Sequence, residues 1–192
     1  MTAAPRVVCA CDWLVKYTAG LTRGLADAGA EAVLLTRDHD LEFGGQAGAL
    51  RDHARAVLGP DVPHLVLPGR PRQLGPYREA IRLRRSLHRF APDVVHLQSS
   101  VVNDPRLVLV AGARPGRYAL TVHDVTRHPG DPEASGLRRR LEERLVRGAG
   151  VTFVHAERLA EDLRRRYGPV PTAVVPHGVD VPSPRPLPAR EA

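Results

Sequence analysis

A chain of 192 residues and 20.9 kDa, 43% hydrophobic, is long enough to bury one sizeable core and too short for two ordinary ones. Its formal charge of +7 comes almost wholly from arginine, Lys16 being the only lysine, and favours anionic partners. Aromatic residues are only 4% and none interleaves the basic runs; that argues against a stacking platform, and no nucleic-acid partner is expected. There is no run of about eighteen apolar residues and no basic-then-apolar leader, so the expected compartment is the cytoplasm.

Short apolar runs alternate with amphipathic segments from Arg6 to Val175, the signature of βαβ units around a parallel sheet. The expected fold class is α/β: a doubly wound, mostly parallel Rossmann-like sheet with helices on both faces. It occupies residues 1–175, followed by a linker or tail over 176–192.

The first strand, Val7–Cys11, carries the only cysteines, Cys9 and Cys11. They are expected to point to opposite faces as buried thiols, and without a paired C-x-x-C they make no zinc site. Asp12-Trp13-Leu14-Val15-Lys16-Tyr17-Thr18 follows, leading into a helix over Tyr17–Ala28 that Gly29 ends. This loop has two readings. Backbone N–H groups at the helix start, with Lys16 and the Thr18 hydroxyl, could hold a phosphate or hydroxyl-rich ligand. Alternatively, Asp12 caps the helix while Trp13 and Leu14 pack beneath it.

Strands are expected at Glu31–Thr36 and His64–Leu67, then a helix from Pro76 to Phe90, stopped by Pro92. The fourth strand, Asp93–Leu97, leads into Gln98, with His96 near its end. Asp104-Pro105 signals a helix start, aspartate as the cap and proline at the first helical position.

The fifth strand, Arg117–Val122, runs straight into His123 and Asp124, with His128 and Asp131 close behind. Open parallel sheets carry their chemistry at the strands' carboxyl ends, which places these groups at a candidate site. The plainer alternative is a packed histidine with Asp124 capping the loop. Imidazole and carboxylate are suitable metal donors, but the i, i+5 histidine spacing across Pro129-Gly130 matches no standard site, so no metal is expected.

Asp131-Pro132 repeats the helix-start signal before a helix ending at Gly148. Strand Val151–Val154 then ends at His155, helix Ala156–Tyr167 closes at Gly168-Pro169, and strand Thr172–Val175 comes last. The basic helical segments Arg78–Arg89 and Arg138–Arg144 are expected to turn Ile81, Leu87, Leu137, Leu141 and Leu145 inward and to solvate their arginines. Contact of these arginines with an anionic membrane surface is a further expectation. From 182 to 188 proline stands at every second position, which favours an extended linker.

The usual nucleotide and hydrolase signatures are missing: no P-loop, no G-x-G-x-x-G after the first strand and no G-x-S-x-G elbow. Four other stretches, Leu21–Thr36, Pro92–Leu97, Leu120–Asp124 and Val175–Asp180, resemble in order and spacing the amino-terminal half of family-4-like glycosyltransferases with the GT-B fold. The resemblance implies a sugar transfer from a nucleotide-sugar donor to an acceptor: a glycan, lipid or small molecule. This chain would be the acceptor-binding half, inactive by itself. The donor-binding carboxy-terminal domain would be its partner, joined at the Pro-rich linker.

It implies His123 beside the transferred sugar as the catalytic residue. By the same match Asp124 is its neighbour; from their places at strand ends and in the loops that follow, Asp12, Lys16, Tyr17, Thr18, Gln98, Asp124 and His128 are the expected substrate-binding residues. The chemistry implied is retaining, needs neither metal nor cofactor, and relies on positioning and charge stabilisation rather than a protein nucleophile. The chain departs from the family in having Val15-Lys16-Tyr17-Thr18 where a glycine pair often stands. A stand-alone binding module of the same fold is the alternative.

Overall fold

The computed structural model describes residues 3–69, 77–126 and 136–177. Seven strands form one sheet: β1 (Arg6–Cys11), β2 (Glu31–Arg37), β3 (His64–Leu67), β4 (Val94–Gln98), β5 (Tyr118–Thr121), β6 (Val151–Val154) and β7 (Thr172–Val174). The order is β3-β2-β1-β4-β5-β6-β7, and every pairing is parallel. Six helices connect them: α1 (Val15–Asp27), α2 (Ala49–Leu58), α3 (Tyr77–Phe90), α4 (Arg106–Ala111), α5 (Gly136–Gly148) and α6 (Glu157–Tyr167). Short 3-10 turns stand at Leu41–Phe43 and Ser99–Asn103.

The strand runs are almost continuously apolar because helices cover both faces. One face is closed by α1 and α2, which pack Val15, Ala19, Leu50, Ala54 and Leu58 against Val7 and Leu34. The other is closed mainly by α3 to α6, with Leu87, Leu107, Leu145 and Leu163 against Val8, Ala10, Leu97 and Leu120.

Cys9 and Cys11 correct an expectation. Both lie on the α1 face, because two residues along a strand return the side chain to the same side, and both are buried and free. Burial pushes the Cys9 thiol up to about 11. The α1 residues above them, Thr18 and Thr22, are fully buried, and each hydroxyl donates to the carbonyl four residues earlier, Leu14 O at 2.8 Å and Thr18 O at 2.7 Å.

Three further expectations change. Helix α2 was not anticipated, since its inward stripe is only Leu50, Ala54 and Leu58 and Gly48, which precedes it, has no side chain to cap it. Asp104, as expected, accepts at the start of α4: its buried carboxylate takes the Arg106 N–H at 3.2 Å and pairs with the Arg106 guanidinium at 2.6 Å, with Pro105 between them. Arg106 also donates to Gly69 O at 2.9 Å, which ties α4 to the end of β3.

In α3 the inward residues are Leu83 and Leu87; Ile81 is 50% exposed because it sits off that stripe. Leu137 is 78% exposed: in a right-handed βαβ unit the first helical turn stands level with the strand ends, above the sheet it would otherwise cover. Leu145 is buried and Leu141 packs partly against the core, as expected. The residues 70–76, 127–135 and 178–192, with the Pro76 and Asp131 helix starts and the alternating prolines, lie outside the described residues.

The turn from β1 into α1 is unusual in one respect. Leu14 holds φ 68° and ψ 39°, left-handed backbone in which a Cβ crowds the following carbonyl. Cutting the side chain to Ala leaves that strain, whereas Gly removes it. We therefore expect Leu14→Gly to be more stable than Leu14→Ala by about 1 kcal/mol. Urea unfolding of the two variants measures the difference; an Ala variant as stable as the Gly variant would show that the turn relaxes out of this conformation.

Candidate functional site

In an all-parallel sheet every strand leaves at the same edge, and the order reverses between β1 and β4, where the loops from adjacent strands diverge. Ser100 closes that switch point. Its hydroxyl donates to Trp13 O at 3.0 Å and accepts from the N–H groups of Asp12 and Trp13 at 3.3 and 3.1 Å. Beside it opens a cleft of about 490 Å³, lined on one side by Trp13, Leu14 and Asn103 and on the other by His123, Asp124 and Arg138.

The loop after β1 supplies its members unequally. Asp12 is 1% exposed and ion-paired with Arg37 at 2.5 Å, and its carbonyl contacts the His39 ring. Burial raises its pKa against the opposing pull of Arg37 and His39. Asp12 thus neither caps α1 nor lies open to a ligand. The N–H groups of Val15 and Lys16 donate to the Glu42 carboxylate at 2.7 and 3.1 Å, so an acidic side chain from a distant turn occupies the place a phosphate would take. Lys16 is exposed, its ammonium 5.0 Å from the Phe43 ring centre. Thr18 is buried and spends its hydroxyl on Leu14. Trp13, rather than packing beneath the helix, is 40% exposed and stacks on His39.

Tyr17 reaches across to the histidines. Its ring meets those of His123, His155 and His177 edge-on or inclined, with centroids 5.0, 5.7 and 5.0 Å away. His123 follows β5, held there because Val122 N–H still bonds Phe153 O at 2.9 Å. The His123 Nε2 stands 2.8 Å from Oε1 of the fully buried Gln98 at the end of β4, and its Nδ1 stands 3.1 Å from His155 Nε2. On the far side, His155 Nδ1 donates to Val175 O at 2.9 Å.

Asp124 is exposed beside the cleft, and His128 lies outside the described residues. Of the residues proposed from sequence, Tyr17, Gln98, His123 and Asp124 come together. His155 was legible as a strand end. His177, Ser100, Glu42 and Arg37 were not, since their roles depend on contacts between distant segments.

Electrostatically the site favours the neutral form of His123 and of His96. Burial, then the neighbouring His155 and His177, lowers His123 to about 4, with Asp124 pulling the other way. Burial alone lowers His96 to about 4. At neutral pH the His123 ring is an uncharged group able to position a polar ligand by hydrogen bonding, not a resident cation.

Fold and site together define a Rossmann-like domain of the kind found in GT-B glycosyltransferases: an all-parallel sheet with a polar crest over an open cleft. The sequence profile of Glycosyltransferase Family 4 matches residues 14–182, and the chain belongs to that family. No curated protein matches it in sequence. Among solved structures it is similar to UGT73P12 of Glycyrrhiza uralensis, complexed with glycyrrhetinic acid 3-O-monoglucuronide, at 10% identity and TM-score 0.52. The alignment covers 90% of this chain and 48% of that one. It is likewise similar to UGT89C1 of Arabidopsis thaliana, complexed with UDP-L-rhamnose, at 13% identity and TM-score 0.53, covering 91% of this chain and 52% of that one. The chain therefore spans about half the length of these structures, and at such identities the likeness is one of fold. Among the described residues no helix is long and apolar enough to cross a membrane.

The low pKa of His96 fixes the sign of a pH effect. Its folded value, about 4, lies below the ordinary 6.5, so the unfolded chain binds more protons between those values. Stability is complete above pH 6.5 and is lost as the pH falls towards 4. His64, lowered to about 4 by burial and by Arg51, acts in the same direction. Urea unfolding at pH 7 and pH 5 should show a clear loss on acidification, and His96→Gln should shrink it. An unchanged pH dependence in that variant would mean that His96 titrates normally.

Proposed function

We propose that this chain is the amino-terminal, acceptor-side domain of an enzyme that moves a sugar from a nucleotide-sugar to a glycan, lipid or small-molecule acceptor. The observation that supports this reading is that His123 lines the cleft, on the crest of a family-4 domain, against Tyr17 and Gln98. The two similar structures, about twice as long, are complexed with a nucleotide-sugar in one case and a glycosylated triterpenoid in the other, and both ligand classes suit the proposal.

The donor-binding half would be a carboxy-terminal domain joined through residues 176–192. There the leaving diphosphate would be stabilised by charge, while the acceptor hydroxyl attacks the anomeric carbon from the same face, with retention and without a protein nucleophile, metal or cofactor. His123 would position the sugar: with Nε2 donating to Gln98, its Nδ1 can accept one hydrogen bond, and the ring, neutral at pH 7, does not trap the phosphate. Trp13 and Asp124 would line the acceptor's approach. The exposed Leu137 beside Arg138, Arg139 and Arg140 at crest level supports contact with an anionic membrane surface next to the cleft.

The test is kinetic. In a protein extended by the donor domain, His123→Ala should lower turnover by roughly 100-fold while leaving the melting transition in place. The 192-residue chain alone should transfer no sugar. Near-normal turnover in the mutant rejects the role of His123, and transfer by the isolated chain rejects the two-domain reading in favour of a complete small enzyme. Binding of an acceptor by the chain alone, with no activity in any extended form, would favour a stand-alone binding module.

A further inference from the structure

Three histidines from three different strand ends meet at one place: His123 after β5, His155 after β6 and His177 after β7. The ligand atoms of the three rings lie within 4.8 Å of one another. The hydrogen bonds around the first two leave a particular arrangement of protons. Val175 O can only accept, so His155 Nδ1 carries a hydrogen, and Nε2 is the ring nitrogen left to face the cluster. With Gln98 Oε1 accepting from His123 Nε2, the lone pair of His123 Nδ1 also points inward. These two inward nitrogens stand 3.1 Å apart.

Two imidazole nitrogens so placed, with a third ring at the rim, offer a cation convergent donors. Tetrahedral zinc with bonds of about 2.05 Å separates its donor nitrogens by roughly 3.3 Å, so this pair already stands at coordination spacing. The outer ring nitrogens are also held as metal-binding histidines usually are, each donating to a carbonyl oxygen that fixes the tautomer. His177 is exposed at the rim, with its ring centroid 4.5 Å from that of His155, near enough to close a third bond by a small side-chain shift.

We propose that His123, His155 and His177 form a binding site for a nitrogen-preferring divalent metal ion such as Zn²⁺, with a fourth position left for water or a ligand. Three imidazoles and no committed carboxylate suit zinc, cobalt, nickel or copper, and not magnesium or calcium, which require oxygen donors. This goes beyond the sequence expectation of no metal, which concerned His123, Asp124, His128 and Asp131 in one loop. It is also separate from the transfer reading. Because His123 is shared, a bound ion and the sugar would exclude one another, making the metal an inhibitor of a metal-independent reaction.

The 192-residue chain, stripped with a chelator and returned to metal-free buffer, can be titrated with Zn²⁺ by calorimetry and with Co²⁺ by visible absorption. One ion per chain is expected, with the intense cobalt spectrum of tetrahedral nitrogen coordination and no response to Mg²⁺. His155→Ala and His177→Ala should each weaken binding by roughly 10-fold or more, while the exposed, distant His88→Ala should not. If His155→Ala fails to fold, His177→Ala decides alone, since its side chain lies outside the core. No binding overturns the proposal and means that the rings share one N–H through the reversed amide of Gln98. Binding that His177→Ala leaves untouched overturns it equally. Neither result bears on sugar transfer, which is read from turnover of the extended protein.

Discussion

Everything at the site depends on the parallel pairing of all seven strands. Parallel neighbours must leave the sheet at the same edge, so the residues after β1, β4, β5, β6 and β7 stand level with one another whatever their separation in sequence. Gln98 pairs in register next to Thr121, two residues before His123, and Phe153 beside Thr121, two residues before His155. A one-residue slip in any of these pairings would turn a crest residue to the other face of its strand and separate the histidines. The core on both faces enforces the register, because the same slip would exchange the side chains of the two faces and break the packing of Leu97, Leu120 and Val154.

Against this apolar frame, the buried polar groups are few and concern the loops. Asp12 and Arg37 pair across β1 and β2, Asp104 and Arg106 anchor the entry to α4, and Gln98 and His96 sit between strands. Removing one partner of a buried ion pair costs about 3 to 5 kcal/mol, far more than the pair adds over an apolar replacement, so such pairs act chiefly to exclude other arrangements. Asp12 held by Arg37 and His39, with Ser100 across the switch point, fixes the path of the loop that presents Trp13 and Tyr17. The Glu42 carboxylate at the start of α1 does the same from the other side. It takes the anion-binding potential of that helix end for structure, which suits a family-4 chain lacking the glycine pair often found there.

The strands were legible because continuous apolar runs have one sensible place in a doubly wound sheet, and their observed limits differ from the expected ones by only a residue or two. Helices α1, α3, α5 and α6 were legible from apolar stripes and from punctuation such as Gly29, Pro92 and Gly168. Local signals are thin elsewhere: α2 has three inward residues and takes its cap from Asp40, whose carboxylate accepts from the Leu50 N–H at 2.9 Å across an intervening turn, and Leu137 keeps the inward period while exposed. For Cys9 and Cys11 the period was misapplied, since a spacing of two is a same-face spacing.

By itself, the sequence determined the class of fold, the family and the position of His123 at a strand end, since each rests on local pattern: apolar period, turn formers and short motifs in order. It also supplied Tyr17 and Gln98 as members of a candidate set. It did not distinguish them from Asp12 and Thr18, which look equally polar in a linear chain. Tertiary structure decided that, by burying Asp12 against Arg37 and Thr18 on the sheet-facing side of α1 while leaving Tyr17 against His123. Only the tertiary structure joined His123, His155 and His177, because segments up to 54 residues apart are brought together by strand order and register, which no local pattern encodes.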